Sequence, residues 1–129
     1  MRNETLKYLI GKKVKKINSF LPTIIFSNGI NLSIESMWRL RNSKYIIFGI
    51  VEYRNIEEQT KTLKQLAKAL IGKKVKDISI SSPISDLRIE FDDGLYLEIF
   101  CDSGLYESWS IMGRNINIIS MPGGCSDDI

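Results

Sequence analysis

The heptapeptide LIGKKVK stands twice in the chain, at residues 9–15 and again at residues 70–76. This duplication constrains the fold more than composition does, because two copies of one unit are expected to build the same local structure and bury equivalent faces. The match runs past the heptapeptide. Residues 11–17 (GKKVKKI) align with residues 72–78 (GKKVKDI) at an offset of 61, and Ile24, Phe26 and Ser27-Asn28-Gly29 align with Ile89, Phe91 and Asp92-Asp93-Gly94 at an offset of 65. Ile30, Leu32 and Ile34 then answer Leu95, Leu97 and Ile99; Trp38 answers Trp109, and Tyr45-Ile46-Ile47-Phe48 answers Ile116-Asn117-Ile118-Ile119. The chain therefore reads as a single domain, 1–129, made of two internal repeats, 1–55 and 56–129.

Each half has the period of strands. Two apolar-rich runs flank Asn28-Gly29, a strong hairpin signal. The second copy, LRIEF, Asp93-Gly94, LYLEIFC, alternates strictly and predicts a core face of Leu87, Ile89, Phe91, Leu95, Leu97 and Ile99. Its opposite face carries Arg88, Glu90, Asp92, Tyr96, Glu98, Phe100 and Asp102. A helix precedes each set of strands: a stub over 4–10 after a possible Asn3 cap, and a longer segment capped by Asn55, with Glu57 and Glu58 in its first turn and Leu63, Leu66, Ala67 and Leu70 along one face. Gly11 and Gly72 then end the helices and the alternating Lys and Val open strands, so the repeated heptapeptide is explained as scaffold. The predicted fold class is α+β, mostly β: two tandem α-β-β-β-β repeats forming antiparallel sheets, as a sandwich or a curved sheet, with the longer helix packed on them. A split barrel is the alternative.

Several function classes are argued against. Histidine is absent, which removes Ser-His and Cys-His nucleophile pairs and imidazole metal sites. The two cysteines, Cys101 and Cys125, form no CxxC pair, and Cys125 is expected to be exposed near the C-terminus. No EF-hand or HExxH spacing occurs, and the Asp-Asp-Gly turn is explained by turn chemistry. Residues 122–126 (PGGCS) lack the phosphate-loop pattern and read as a terminal loop. No enzyme activity and no cofactor or metal is expected. With no signal-like h-region and no long apolar run, a cytoplasmic protein without membrane contact is expected.

Charge separates the halves. Residues 1–55 hold 10 Lys and Arg against 3 Asp and Glu, a net of +7, whereas residues 56–129 hold 8 against 12, a net of −4. Lys12, Lys13, Lys15, Lys16, Lys73, Lys74 and Lys76 form a basic stripe. Its plainer reading is a solvated strand whose lysines guard an edge, and no RNP motif, helix-turn-helix pattern or arginine cluster supports nucleic-acid binding. The acidic residues interleave with aromatics: Glu90, Asp92, Tyr96, Glu98, Phe100, Asp102, Tyr106 and Glu107. Rings beside carboxylates on a solvent face suit an interface with a basic protein, the rings anchoring and the charges steering. The plainer alternative packs Tyr96 and Phe100 under the helix or a neighbouring sheet. Trp38 and Trp109 read as core packing.

With GKKVxxI, then IxFxxGxxLxI, then Tyr106-Glu107-Ser108-Trp109 and a closing PGG, the chain resembles small bacterial immunity proteins of polymorphic toxin and contact-dependent growth inhibition systems. The resemblance implies a cytoplasmic, non-enzymatic protein that neutralises one cognate toxin, commonly a nuclease, by blocking its active site. Such proteins are usually acidic, and the acidic second half carries the likeness. The second reading is a nucleic-acid-binding module using the lysine-rich first half. A homodimer paired through an open edge at GKKVK is a further expectation.

Overall fold

The computed structural model describes residues 5–18 and 22–126, with the backbone alone at Cys125 and Ser126. The Asn3 cap and the exposure of Cys125 lie outside the described residues. Gly11 and Gly72 take φ of +85° and +88°, a left-handed conformation that closes a helical turn and is open to a residue without Cβ. Before Gly11 the stub is a short turn, 3-10 over Lys7–Leu9; before Gly72 runs the main helix, α2 (Gln59–Leu70). Both glycines release the chain into a strand, β1 (Val14–Asn18) and β6 (Val75–Ile80).

From there each half forms a three-stranded meander: β1, β2 (Thr23–Phe26) and β3 (Asn31–Ile34) in the first, β6, β7 (Leu87–Phe91) and β8 (Tyr96–Phe100) in the second. The tight turns correspond as expected, Phe26 N–H donating to Ile30 C=O and Phe91 N–H to Leu95 C=O, both at 2.8 Å. Both meanders also carry a register shift at the same place, after Val14 and after Val75.

The next strands cross over. β4 (Met37–Arg41) and β5 (Ile46–Gly49) of the first half join the meander of the second, while β9 (Trp109–Met112), β10 (Asn117–Met121) and β11 (Cys125–Ser126) join that of the first. The result is a six-stranded sheet, β1-β2-β3-β9-β10-β11, and a five-stranded sheet, β5-β4-β8-β7-β6, antiparallel throughout. The exchange is symmetric in detail: Trp109 pairs with Ile34 across β9 and β3, and Trp38 with Ile99 across β4 and β8.

The sheets meet along one edge, where the repeated segments pair with each other. Lys13 and Lys74 form a bridge, flanked by four reciprocal hydrogen bonds: Gly11 N–H to Val75 C=O, Gly72 N–H to Val14 C=O, Val14 N–H to Lys73 C=O and Val75 N–H to Lys12 C=O. The GKKVK edge is thus occupied within the chain. A dimer built on it, as the sequence suggested, would have to break these bonds. Inward side chains of both sheets share one cluster, including Trp38, Trp109, Phe26, Phe91, Leu40 and Leu97, and α2 adds Leu66 and Leu70.

Three local expectations are corrected. Helix α2 starts at Gln59, because Asn55 Oδ1 accepts the Glu57 N–H in a turn and the first helical bond runs from Thr62 N–H to Glu58 C=O. Its buried stripe is accordingly Thr62, Leu66 and Leu70, with Leu63 and Ala67 half-buried. A short helix, α1 (Ile50–Arg54), breaks the apolar run after β5; Glu52 caps it by accepting the Gly49 N–H at 2.7 Å. The PGG segment is a tight turn between β10 and β11, with φ of +86° and +84° at Gly123 and Gly124.

Candidate functional site

Alternation in β7 and β8 sends Leu87, Ile89, Phe91, Leu97 and Ile99 inward as expected, with Leu95 half-buried. On the opposite face Tyr96 and Phe100 are half-buried and lie outside the core cluster that the helix and the two sheets share. Strand order then decides what surrounds them. Because β4 lies beside β8, Arg39 stands opposite Glu98 and Arg41 opposite Tyr96; because β7 lies on the other side, Arg88 stands opposite Glu98 and Glu90 opposite Tyr96. In β6, Asp77 faces Glu90 and Ser79 faces Arg88.

Glu98 is the hub of this face. Arg39 Nε and Arg41 Nε both donate to its Oε1 at 2.7 Å, and Arg41 Nη2 reaches Oε2 at 3.2 Å, so Arg41 binds the carboxylate through two nitrogens. Each guanidinium also lies over a ring, Arg41 4.3 Å from the centre of Tyr96 and Arg39 5.0 Å from that of Phe100. Such cation–ring contacts add about 0.5–1 kcal/mol each at exposed sites. Burial pushes the Glu98 carboxyl pKa upward, but the hydrogen bonds from Arg41 and Arg39 and their charges outweigh it and hold it below its ordinary value. Arg41 is raised, chiefly by its hydrogen bond to Glu98. Arg88, on the other flank, is exposed and separates two shallow clefts of about 280 Å³ and 330 Å³. Asp77, Glu90 and Tyr96 line the first; Asp86, Glu98 and Phe100 line the second.

The eight residues singled out by sequence do not form one acidic patch. Glu90, Tyr96, Glu98 and Phe100 share the sheet face. Asp92 lies in the β7–β8 turn, exposed, with its N–H on Lys74 C=O. Asp102 is exposed past the far end of β8, and its Oδ2 accepts the Met37 N–H at 3.3 Å. Tyr106 and Glu107 are exposed on the loop between β8 and β9. Glu98 is buried to 9% exposure and fully engaged, so it is not a free steering charge. Arg39, Arg41 and Arg88 balance Asp77, Glu90 and Glu98, and the face is mixed in sign. Sequence reasoning missed Arg39 and Arg41; their signal is the alternation Trp38-Arg39-Leu40-Arg41, which puts two guanidinium groups on the polar side of an otherwise buried strand.

The equivalent face of the six-stranded sheet is plainer. Asn31 and Ser33 replace Tyr96 and Glu98, and Ser110 and Met112 replace Arg39 and Arg41. Among the described residues there is no group of three metal-ligating side chains and no helix long and apolar enough to cross a membrane.

Fold and face together define a duplicated antiparallel β protein with one open sheet face specialised by arginine, carboxylate and aromatic side chains. The chain belongs to DUF6188, a family of unknown function whose model matches residues 6–126. No curated protein and no solved structure matches it.

Proposed function

We propose that the protein is a non-enzymatic binding protein that neutralises a cognate toxin by covering its working surface with the open face of the five-stranded sheet. One observation carries this reading: Glu98, bonded by both arginines, holds Arg39 and Arg41 over two half-exposed rings, an arrangement that the equivalent face of the other sheet lacks. The scaffold is content with uncharged side chains, Asn31, Ser33, Ser110 and Met112, at the positions equivalent to Tyr96, Glu98, Arg39 and Arg41 in the other sheet. Arginine and aromatic anchors whose geometry is set before binding lose little conformational freedom on contact, and such residues dominate interface energetics. Carboxylates around them, Asp77, Asp86, Glu90 and Asp102, meet basic groups of the partner, in keeping with the nuclease that the family resemblance implies.

Glu98→Lys would place a third cation against Arg39 and Arg41 and disturb the fold, so a test of this surface leaves Glu98 as it is. Arg88→Glu with Tyr96→Ala changes the exposed part of the face and leaves the Glu98 pairs in place. The native protein, used to capture partners from its own cells, is expected to bring down one stoichiometric protein that arrests growth when expressed alone and is silenced by co-expression. The double variant should lose both capture and silencing while melting within a few degrees of the native chain. Full silencing by a folded double variant would remove this face from the function.

A further inference from the structure

We propose that the ladder joining the two repeats is a second binding surface, for the phosphodiester backbone of a nucleic acid. The seven lysines of the repeated segments form two sets 61 residues apart in sequence, yet pairing of the segments puts Lys13 directly opposite Lys74, with Lys15, Lys16 and Lys76 exposed on the strands that follow and Lys12 and Lys73 half-buried on the side of Val14 and Val75. Two of the seven are ion-paired, Lys73 with Asp93 at 2.7 Å and Lys76 with Glu90 at 3.6 Å. The other five, Lys12, Lys13, Lys15, Lys16 and Lys74, have no carboxylate partner among the described residues. Lysine on an open edge is explained by protection against stray strand pairing. At Lys13 and Lys74 the two edges close on each other, and for this pair that reason lapses. What remains is a cost, since like charges directly opposite on antiparallel segments are destabilising.

A polyanion turns this cost into affinity. Cross-strand neighbours lie about 5 Å apart, and successive lysines on one side of a strand roughly 7 Å apart, so the ammonium groups form a narrow line rather than a broad disc. That shape suits a linear chain of phosphates better than a plane of lipid headgroups. Lysine without arginine or base-stacking rings on the ladder implies contact with phosphate and little base discrimination. The surface touches the Arg39–Glu98 face at the Lys76–Glu90 pair, but Lys13 and Lys74 make no ion pair with that face, and the proposal stands or falls apart from the toxin reading.

Fluorescence anisotropy with labelled oligouridylate tests this. Four phosphate contacts, one for each exposed lysine without a carboxylate partner, predict a salt slope of about −2.8, or roughly 50-fold weaker binding on going from about 50 to 200 mM salt. Lys13→Gln with Lys74→Gln should cut affinity at least tenfold at low salt and flatten the slope by about 1.4. Lys61→Gln with Lys64→Gln, an equal charge change on α2, should cut it less than threefold. The seam variant removes a like-charge pair and is expected to melt no lower than the native protein, so loss of fold is distinguishable from loss of contact. Absence of binding at low salt would overturn the proposal. So would equal weakening by the two double variants, or binding to phosphatidylserine vesicles with none to the oligonucleotide.

Discussion

At the residue scale, Glu98 shows how a charge is kept on a nearly covered site. Its carboxylate accepts three hydrogen bonds from two arginines, yet Arg39 stays 39% exposed, which limits the worth of the cluster. Glu98→Gln should cost about 1–2 kcal/mol, less than the 3–5 of a fully buried pair, read as a shift in urea midpoint. Its pKa is lowered on folding, so the stability it supplies is present above the unfolded value and is lost as pH falls from about the ordinary 4.5 through the lowered folded value. A native-minus-Gln stability difference that shrinks below pH 4.5 is expected; one that grows there would contradict the assignment. The equivalent tryptophans offer a second comparison. Trp109 Nε1 donates to Ser85 C=O at 2.8 Å, whereas Trp38 Nε1, also buried, has no partner among the described residues. Trp109→Phe leaves a carbonyl without that donor and should cost about 1 kcal/mol more than Trp38→Phe.

At the element scale, the repeated heptapeptide has a conformational reason in each copy. A Cβ on Gly11 or Gly72 would meet nothing within 4 Å, so an alanine there is opposed by backbone conformation alone. Gly11→Ala and Gly72→Ala should each cost about 1–2 kcal/mol, and near-equal losses in thermal melts would reflect their matching roles. The β7–β8 hairpin was legible because its alternation and its Asp-Gly turn are local signals that agree. Helix α1 was not, since an unbroken apolar run has no period to separate strand from helix, and the Glu52 cap on Gly49 that ends β5 is a side-chain contact. The late start of α2 has a similar origin: Asn55 looks like a cap but spends its oxygen on a turn before the helix.

At the scale of the whole molecule, the duplication defines two meanders, but their exchange of later strands lies beyond local pattern. Neither half contains both neighbours of its own fourth strand: β4 has β5 but needs β8, and β9 has β10 but needs β3. Residues 1–55 expressed alone should therefore lack cooperative unfolding, and mixing them with 56–129 should restore it, checked by near-ultraviolet circular dichroism. The same exchange explains why half of the candidate site was readable. Glu90, Tyr96, Glu98 and Phe100 share a hairpin and a face, whereas Arg39 and Arg41 arrive beside them only through the crossover. An apparently acidic patch became a balanced one for that reason. The central claim is that function lies where the two equivalent sheet faces differ. Parallel captures from native cells test it most directly, one with Arg88→Glu and Tyr96→Ala, the other with Ser33→Glu and Ser110→Arg on the six-stranded sheet, each compared with the native chain. Loss of the stoichiometric partner from the first and its retention by the second is the expected result; retention by the first, or equal loss from both folded variants, would contradict it.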